Sequence, residues 1–149
     1  MTGPSYDDLG ALYINCTLKP SPEPSHTQGL IEVSAGIMRK QGVRVETIRA
    51  ADHDIATGVW PDMTSRGAAT DAWPQLYEKV QAADVLVIAG PIWLGDNSSV
   101  TKRVIERLYG NSHLLNGLLK LGRECFPAAH GRMLRPDEDC ILIHQREYF

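Results

Sequence analysis

The sequence predicts an α/β domain built on a doubly wound parallel sheet, with strand order 2-1-3 and any fourth strand lying beside the third. Residues Val85-Leu86-Val87-Ile88-Ala89 are wholly apolar and partly β-branched, the composition of a parallel strand covered by helices on both faces. Two shorter strand-like runs precede it, and segments of helical period separate and follow them, so the chain reads as consecutive strand–helix units. Its 149 residues, 43% of them hydrophobic, suit one domain over 1–149 with a sizeable core.

The elements follow in order. Ala11-Leu12-Tyr13-Ile14-Asn15 is an apolar run closing on a polar residue, as a first buried strand would be. Lys19-Pro20-Ser21-Pro22-Glu23-Pro24 carries three prolines, which exclude helix and central strand and leave a loop. Ser25-His26-Thr27-Gln28 has the capping-box pattern and opens a helix. Leu30, Val33, Ile37 and Met38 recur along it at helical spacing, and Gly42 closes it as C′ residue. Val43 to Ile48 alternates in character and suits a strand near a sheet edge. Ala50 to Thr70 lacks a sustained period and is long for a connector, which marks it as functional or mobile.

Trp73-Pro74 puts proline in the first turn of a second helix, with Leu76, Val80 and Ala83 as its apolar stripe. After the third strand, Gly90-Pro91-Ile92-Trp93-Leu94-Gly95 reads as a loop. Ser98 or Ser99 then caps a third helix with Val100, Val104, Ile105 and Leu108 on one face, and Gly110 ends it. Leucines between Leu114 and Leu121 allow a short amphipathic helix. Gly122 to Asp139, broken by Pro127, Gly131 and Pro136, is expected to pack poorly and to be cut first by proteases. Cys140-Ile141-Leu142-Ile143 is the remaining strand candidate.

Fifteen Lys and Arg against eighteen Asp and Glu leave a formal net charge of −3, which offers no basic field for a nucleic acid. No apolar run approaches the ~20 residues that span a bilayer, and the acidic, polar N-terminus is unlike a secretory leader. The expectation is a cytoplasmic protein without membrane insertion. Cys16, Cys125 and Cys140 lack CxxC spacing, so neither a disulfide framework nor a structural zinc site is indicated. Asp52-His53-Asp54 places three ligand types in a row, but consecutive side chains diverge, and no metal is expected. There is no Ser-His-Asp or Cys-His constellation to support hydrolysis.

Ligands of open parallel sheets bind beyond the carboxyl ends of the strands, at the loops after strands one and three. The first loop brings Ser25, His26, Thr27 and Gln28 to a helix N-terminus, where unpaired amides and the dipole favour a phosphate. From those four residues alone, capping of the helix is the plainer reading. Neither GxGxxG nor GxxxxGK[ST] is present. The second loop sets Ile92-Trp93 between glycines after a buried strand, which suits a flat heteroaromatic ligand; a Trp93 folded over the core is the alternative. Cys16 reads as a small buried filler, or else as a thiol activated by a helix N-terminus. Lys102, Glu106 and Arg107 have the spacing of a salt-bridged helix face.

Gly90-Pro91-Ile92-Trp93-Leu94-Gly95, followed by Ser98-Ser99-Val100, Lys102 and Ile105-Glu106-Arg107-Leu108, resembles the strand-three signature of the flavodoxin-like NAD(P)H-dependent FMN reductases. Ala83 to Ile88 before it and Ser25-His26-Thr27 after strand one are similar to the same pattern, and the likeness extends to about Gly117. The resemblance implies an FMN whose phosphate lies against Thr17, Ser25, Thr27 and Gln28. It implies a flavin ring lined by Pro91, Ile92, Trp93, Leu94 and Gly95. It further implies NAD(P)H as co-substrate, and hydride passed through the flavin to a quinone or similar small-molecule acceptor.

Proteins of that family continue with a fourth strand, a glycine-rich third flavin loop, a fifth strand and a closing helix. Residues 118–149 lack that pattern. The expected division is therefore a family-like body at 1–117 and an atypical tail at 118–149, in a sheet incomplete at its C-terminal side. Two alternatives stand beside the oxidoreductase. One is a flavodoxin-type FMN-binding electron-transfer module, which the mild net charge disfavours because such carriers dock through strongly charged faces. The other is a truncated remnant without cofactor. A loose tail would leave the edge of strand three open, and a homodimer through that edge is the expectation in that case.

Overall fold

A computed structural model of the chain describes residues 6–111, together with the backbone of residues 126–127, 133–134 and 140–146. In chain order the main elements are β1 (Gly10–Asn15), α1 (His26–Lys40), β2 (Arg44–Arg49), α2 (Trp73–Ala82), β3 (Val85–Trp93), β4 (Asp96–Asn97) and α3 (Ser99–Gly110). Three short strands follow: β5 (Phe126–Pro127), β6 (Met133–Leu134) and β7 (Cys140–Arg146). Short 3-10 turns occupy Ala50–Asp52 and Met63–Arg66.

β1 lies between β2 and β3 and is parallel to both, with Asn15 level with Arg49 on one side and with Ala89 on the other. β7 runs parallel along the far side of β3, pairing Leu86 with Cys140 through Ile92 with Arg146. The order is thus β2-β1-β3-β7, the 2-1-3 arrangement expected, with the fourth strand at 140–146. Alternation along β1 sorts the core into two layers. Leu12, Ile14 and Cys16 face a cluster with Trp73, Leu76, Val80 and Val104 from α2 and α3. Ala11 and Tyr13 face Ile31 and Ala35 of α1. Helices therefore cover both faces, as a doubly wound sheet requires.

Several expectations change. Leu30, Val33 and Ile37 of α1 are 37%, 65% and 60% exposed, whereas Thr27, Ile31 and Ala35 are buried. The helix lays its smaller stripe on the sheet, where β1 and β3 already contribute Tyr13 and Val87 to that layer. The stretch read as a loop at Gly90–Gly95 is largely strand: β3 runs to Trp93, and β4 folds back on it to pair Ile92 with Asn97 and Trp93 with Asp96. β7 covers the edge of β3, so the motive for a homodimer through that edge disappears. The amphipathic helix expected near Leu114–Leu121 lies outside the described residues. So does the packing of Gly122–Asp139, apart from the antiparallel pairing of β5 with β6.

The long connection after β2 is held in place. Asp71 accepts the amides of Ala56, Met63 and Trp73, and its Oδ2 lies 2.6 Å from Nη2 of Arg107. Arg107 is thus no part of a solvent-facing salt-bridged helix face: its side chain is completely buried, as is the carboxylate of Asp71. Gly110 is the last residue of α3, as expected, and a Cβ there would meet the carbonyl carbon of Val59 at 2.6 Å, so the connection packs directly on α3 at this point.

Candidate functional site

The carboxyl ends of β1 and β3 are adjacent, and the residues singled out from the sequence collect there. Ser25 caps α1 through Oγ, which accepts the amide of Gln28 at 3.1 Å. The first-turn amides of His26 and Thr27 are left, as at any helix start, without intrahelical acceptors. Thr27 is 1% exposed, yet its Oγ1 has no hydrogen-bond partner. A buried hydroxyl without a partner costs about 1–3 kcal/mol, which a phosphate oxygen at this helix start would recover. Asn15, fully buried at the end of β1, organises the approach: its Oδ1 accepts the amide of Thr17 at 3.0 Å and its Nδ2 donates to Oε1 of Gln28 at 2.8 Å. Gln28 is therefore committed to Asn15 and, through Nε2, to Glu32. Thr17 is buried, and its Oγ1 accepts the amide of Lys19 at 3.4 Å.

The second wall is the β3–β4 hairpin. Pro91 is buried at its base, Ile92 and Trp93 are half-buried, and Leu94 and Gly95 form a two-residue turn. Leu94 has φ 53° and Gly95 φ 80°. Positive φ at both central positions defines the type I′ hairpin turn, where Asn-Gly is preferred. Leu94 is also wholly exposed. Replacing Leu94 with Asn is expected to raise stability by about 1 kcal/mol, since left-handed backbone strain is relieved and no buried contact is lost. A urea titration showing no gain would mean the turn is unstrained. Asn97 closes the hairpin with a buried Oδ1 that also lacks a partner.

Between the two walls, Ser98 caps α3: its Oγ accepts the amide of Thr101 at 3.2 Å and meets Oγ1 of Thr101 at 2.9 Å. Cys16 lies beneath, fully buried, and burial pushes its thiol up to about 12, with a hydrogen bond to Thr101 acting the other way. No thiolate forms there near neutral pH, which excludes the activated-thiol alternative. Asp52 accepts the amide and hydroxyl of Ser21, and those bonds hold its carboxyl below its ordinary value. Among the described residues, no three His, Cys, Asp or Glu side chains come together as a metal site. An open recess of about 290 Å³, lined by Gly10, Leu12, Arg44, Glu46 and Lys79, sits at the opposite foot of the sheet, where Glu46 and Lys79 are already paired.

The residues expected from the sequence to hold a ligand, Thr17, Ser25, Thr27, Gln28 and Pro91 to Gly95, lie just beyond the carboxyl ends of β1 and along the end of β3, and Asn15, Asn97 and Ser98, which sequence reasoning did not single out, bond among them. A polar residue closing an apolar strand, as Asn15 does, is the signal that could have found the first.

The sequence profile described as NADPH-dependent FMN reductase matches residues 11–120. Over 105 residues the chain is 41% identical to an 8-demethyl-8-aminoriboflavin-5'-phosphate synthase of Streptomyces davaonensis, covering 67% of this chain and 41% of that protein. A stretch of 113 residues, 76% of this chain, is 70% identical to part of a Mycobacterium bovis protein described as the divalent metal cation transporter MntH, of which it makes up 16%. The chain accordingly spans less than half the length of these curated relatives. No helix among the described residues is long and apolar enough to cross a membrane. Among solved structures, RosB with bound 8-demethyl-8-formylriboflavin-5'-phosphate superposes with a TM-score of 0.65 at 28% identity, over 95% of this chain and 67% of that one.

Proposed function

The chain belongs to the family of NADPH-dependent FMN reductases, and from that premise we propose that it uses FMN to pass hydride from NAD(P)H to a quinone or similar small-molecule acceptor. The observation that carries this reading is the buried, unpartnered hydroxyl of Thr27 at the start of the helix that follows β1, the strand whose neighbour β3 runs on into the hairpin. The residues present fit the group. First-turn amides of α1 and the Thr27 hydroxyl hold the phosphate, where negative charge also gains from the helix dipole. Ser25 and Gln28 keep that turn in shape, and Asn15 keeps Thr17 at its edge. Pro91 to Gly95 offer one face and backbone groups to the ring, with Trp93 as the aromatic member. When bound, FMN supplies hydride and electron transfer, and the protein supplies binding, orientation and exclusion of water.

The test is an absorbance spectrum of protein incubated with FMN and then desalted, followed by NADPH oxidation with and without a quinone. Retained flavin bands and quinone-dependent oxidation support the proposal. Flavin bands without NADPH oxidation favour the electron-transfer module, and loss of all flavin favours the cofactor-free remnant. A second reading, in which a riboflavin phosphate is the substrate altered on its ring, draws support from the likeness to the synthase and to RosB. Chromatography of the flavin after turnover separates the two, because a recycled cofactor emerges unchanged.

Thr27→Val is expected to leave the flavin-free protein as stable or slightly more so, since it removes an orphaned hydroxyl. The same change should weaken FMN about tenfold or more while riboflavin, which has no phosphate, is nearly unaffected. Trp93→Ala should weaken both flavins comparably, by roughly 1–3 kcal/mol, because they share the ring. Fluorescence titrations of the two variants with the two flavins decide this. Equal effects of Thr27→Val on both would locate the phosphate elsewhere.

A further inference from the structure

The loop between β1 and α1 has prolines at 20, 22 and 24. A prolyl peptide keeps its carbonyl but has no N–H, so this loop is rich in acceptors and poor in donors. Such a loop beside an anion site places negative partial charges where they repel the ligand. The neighbouring strand corrects this. Arg49, the last residue of β2, directs Nη1 to the carbonyls of Lys19, Pro20 and Glu23 at 3.3, 3.1 and 2.8 Å. Asp52, one turn further, accepts the Ser21 amide at 2.7 Å and its hydroxyl at 2.5 Å. The acceptors are thereby gathered toward β2 by a cation, and the loop is tied at its centre. Its far end delivers Ser25 and the open start of α1.

We propose that Arg49 and Asp52 are positioning residues for the flavin phosphate, holding the loop that leads into Ser25–Thr27 without ligating the phosphate themselves. The proposal rests on the FMN reading above. It gives Asp52, the first residue of the Asp52-His53-Asp54 triplet, a role that sequence alone could offer only to a metal or to solvent.

The sign of one substitution separates positioning from plain charge. Asp52 is negative, so if it acted on the phosphate by charge alone, Asp52→Ala would tighten FMN. A positioning residue predicts the reverse: FMN weakened by roughly fivefold, the worth of about one hydrogen bond, with riboflavin changed by less than about twofold. Asp52→Asn keeps an acceptor for the Ser21 amide and should regain most of the loss. Arg49→Ala should likewise weaken FMN selectively. Because Asp52 is exposed, thermal melts of the flavin-free variants should match the parent. The measurements are fluorescence titrations of the full chain with FMN and riboflavin. Unchanged or tighter FMN in Asp52→Ala, or equal loss of both flavins, overturns the positioning role while leaving the cofactor reading intact. A parent chain that binds neither flavin overturns the cofactor reading, and this inference with it.

Discussion

Replacing Asp71 with alanine should lower the unfolding free energy by about 3–5 kcal/mol, the usual cost of removing one partner from a buried ion pair. Both side chains of the Asp71–Arg107 pair are completely shielded from solvent. Arg107 already leaves Nε and Nη1 without acceptors, so its remaining bonds to Asp71 and to the carbonyl of Pro61 are all that offset its desolvation. The guanidinium centre also lies 5.9 Å from the centre of the Trp73 ring, which softens but does not replace a carboxylate. Asp71→Ala further deprives the amides of Ala56, Met63 and Trp73 of their acceptor, and the connection packed on α3 loses its central anchor. For a domain of this size the expected drop in Tm is on the order of 10 °C. Arg107→Met, which keeps much of the volume but leaves the Asp71 carboxylate buried without its cation, should cost a comparable amount. Urea denaturation followed by circular dichroism measures both. A loss below about 1 kcal/mol for Asp71→Ala would mean that the pair does not anchor this region.

Gly90→Ala is expected to destabilise the chain by roughly 2–3 kcal/mol and to weaken flavin binding together with it. A Cβ at this position would lie 2.0 Å from Oγ1 of Thr101 and 3.2 Å from Cβ of Cys16, and the first of these distances is impossible without movement. Thr101 cannot easily turn away, because its hydroxyl is bonded to Ser98 at the cap of α3. Either β3 or the start of α3 must shift, and both carry the walls of the crevice. The double variant Gly90→Ala with Thr101→Ala removes the clashing oxygen and leaves a tight contact near 3.3 Å. It should therefore lose less stability than the sum of the two single changes, a coupling that denaturation midpoints and FMN titrations both register. Strict additivity would show that the close approach of strand to helix is not what requires glycine here.

What sequence alone determined was set by neighbours along the chain. Ser25 and Ser98 cap helices because their hydroxyls reach amides three residues on. Gly42 takes φ 94° just beyond α1, where a side chain would be strained. Pro74 starts α2 where a missing amide costs nothing. The apolar run from Val85 to Ala89 becomes an inner strand because only two covered faces can accept it. The position of the candidate site residues was legible for the same reason: they sit at the ends of these elements.

Tertiary structure decided the rest, because the partners are far apart in sequence. Arg107 looks like a surface helix charge until Asp71, 36 positions away, meets it in the interior. Asp52 looks solvated until Ser21, 31 positions away, comes within reach. The helical period of α1 is genuine, yet two stripes share it, and which one is buried depends on the room left above β1 and β3. Pro91 to Trp93 carry loop-like residues, but pairing with β7 on one side and β4 on the other keeps the backbone extended. Local propensity sets the menu of elements, whereas burial and long-range pairing select the face, the partner and the charge state, and these are properties of the assembled chain.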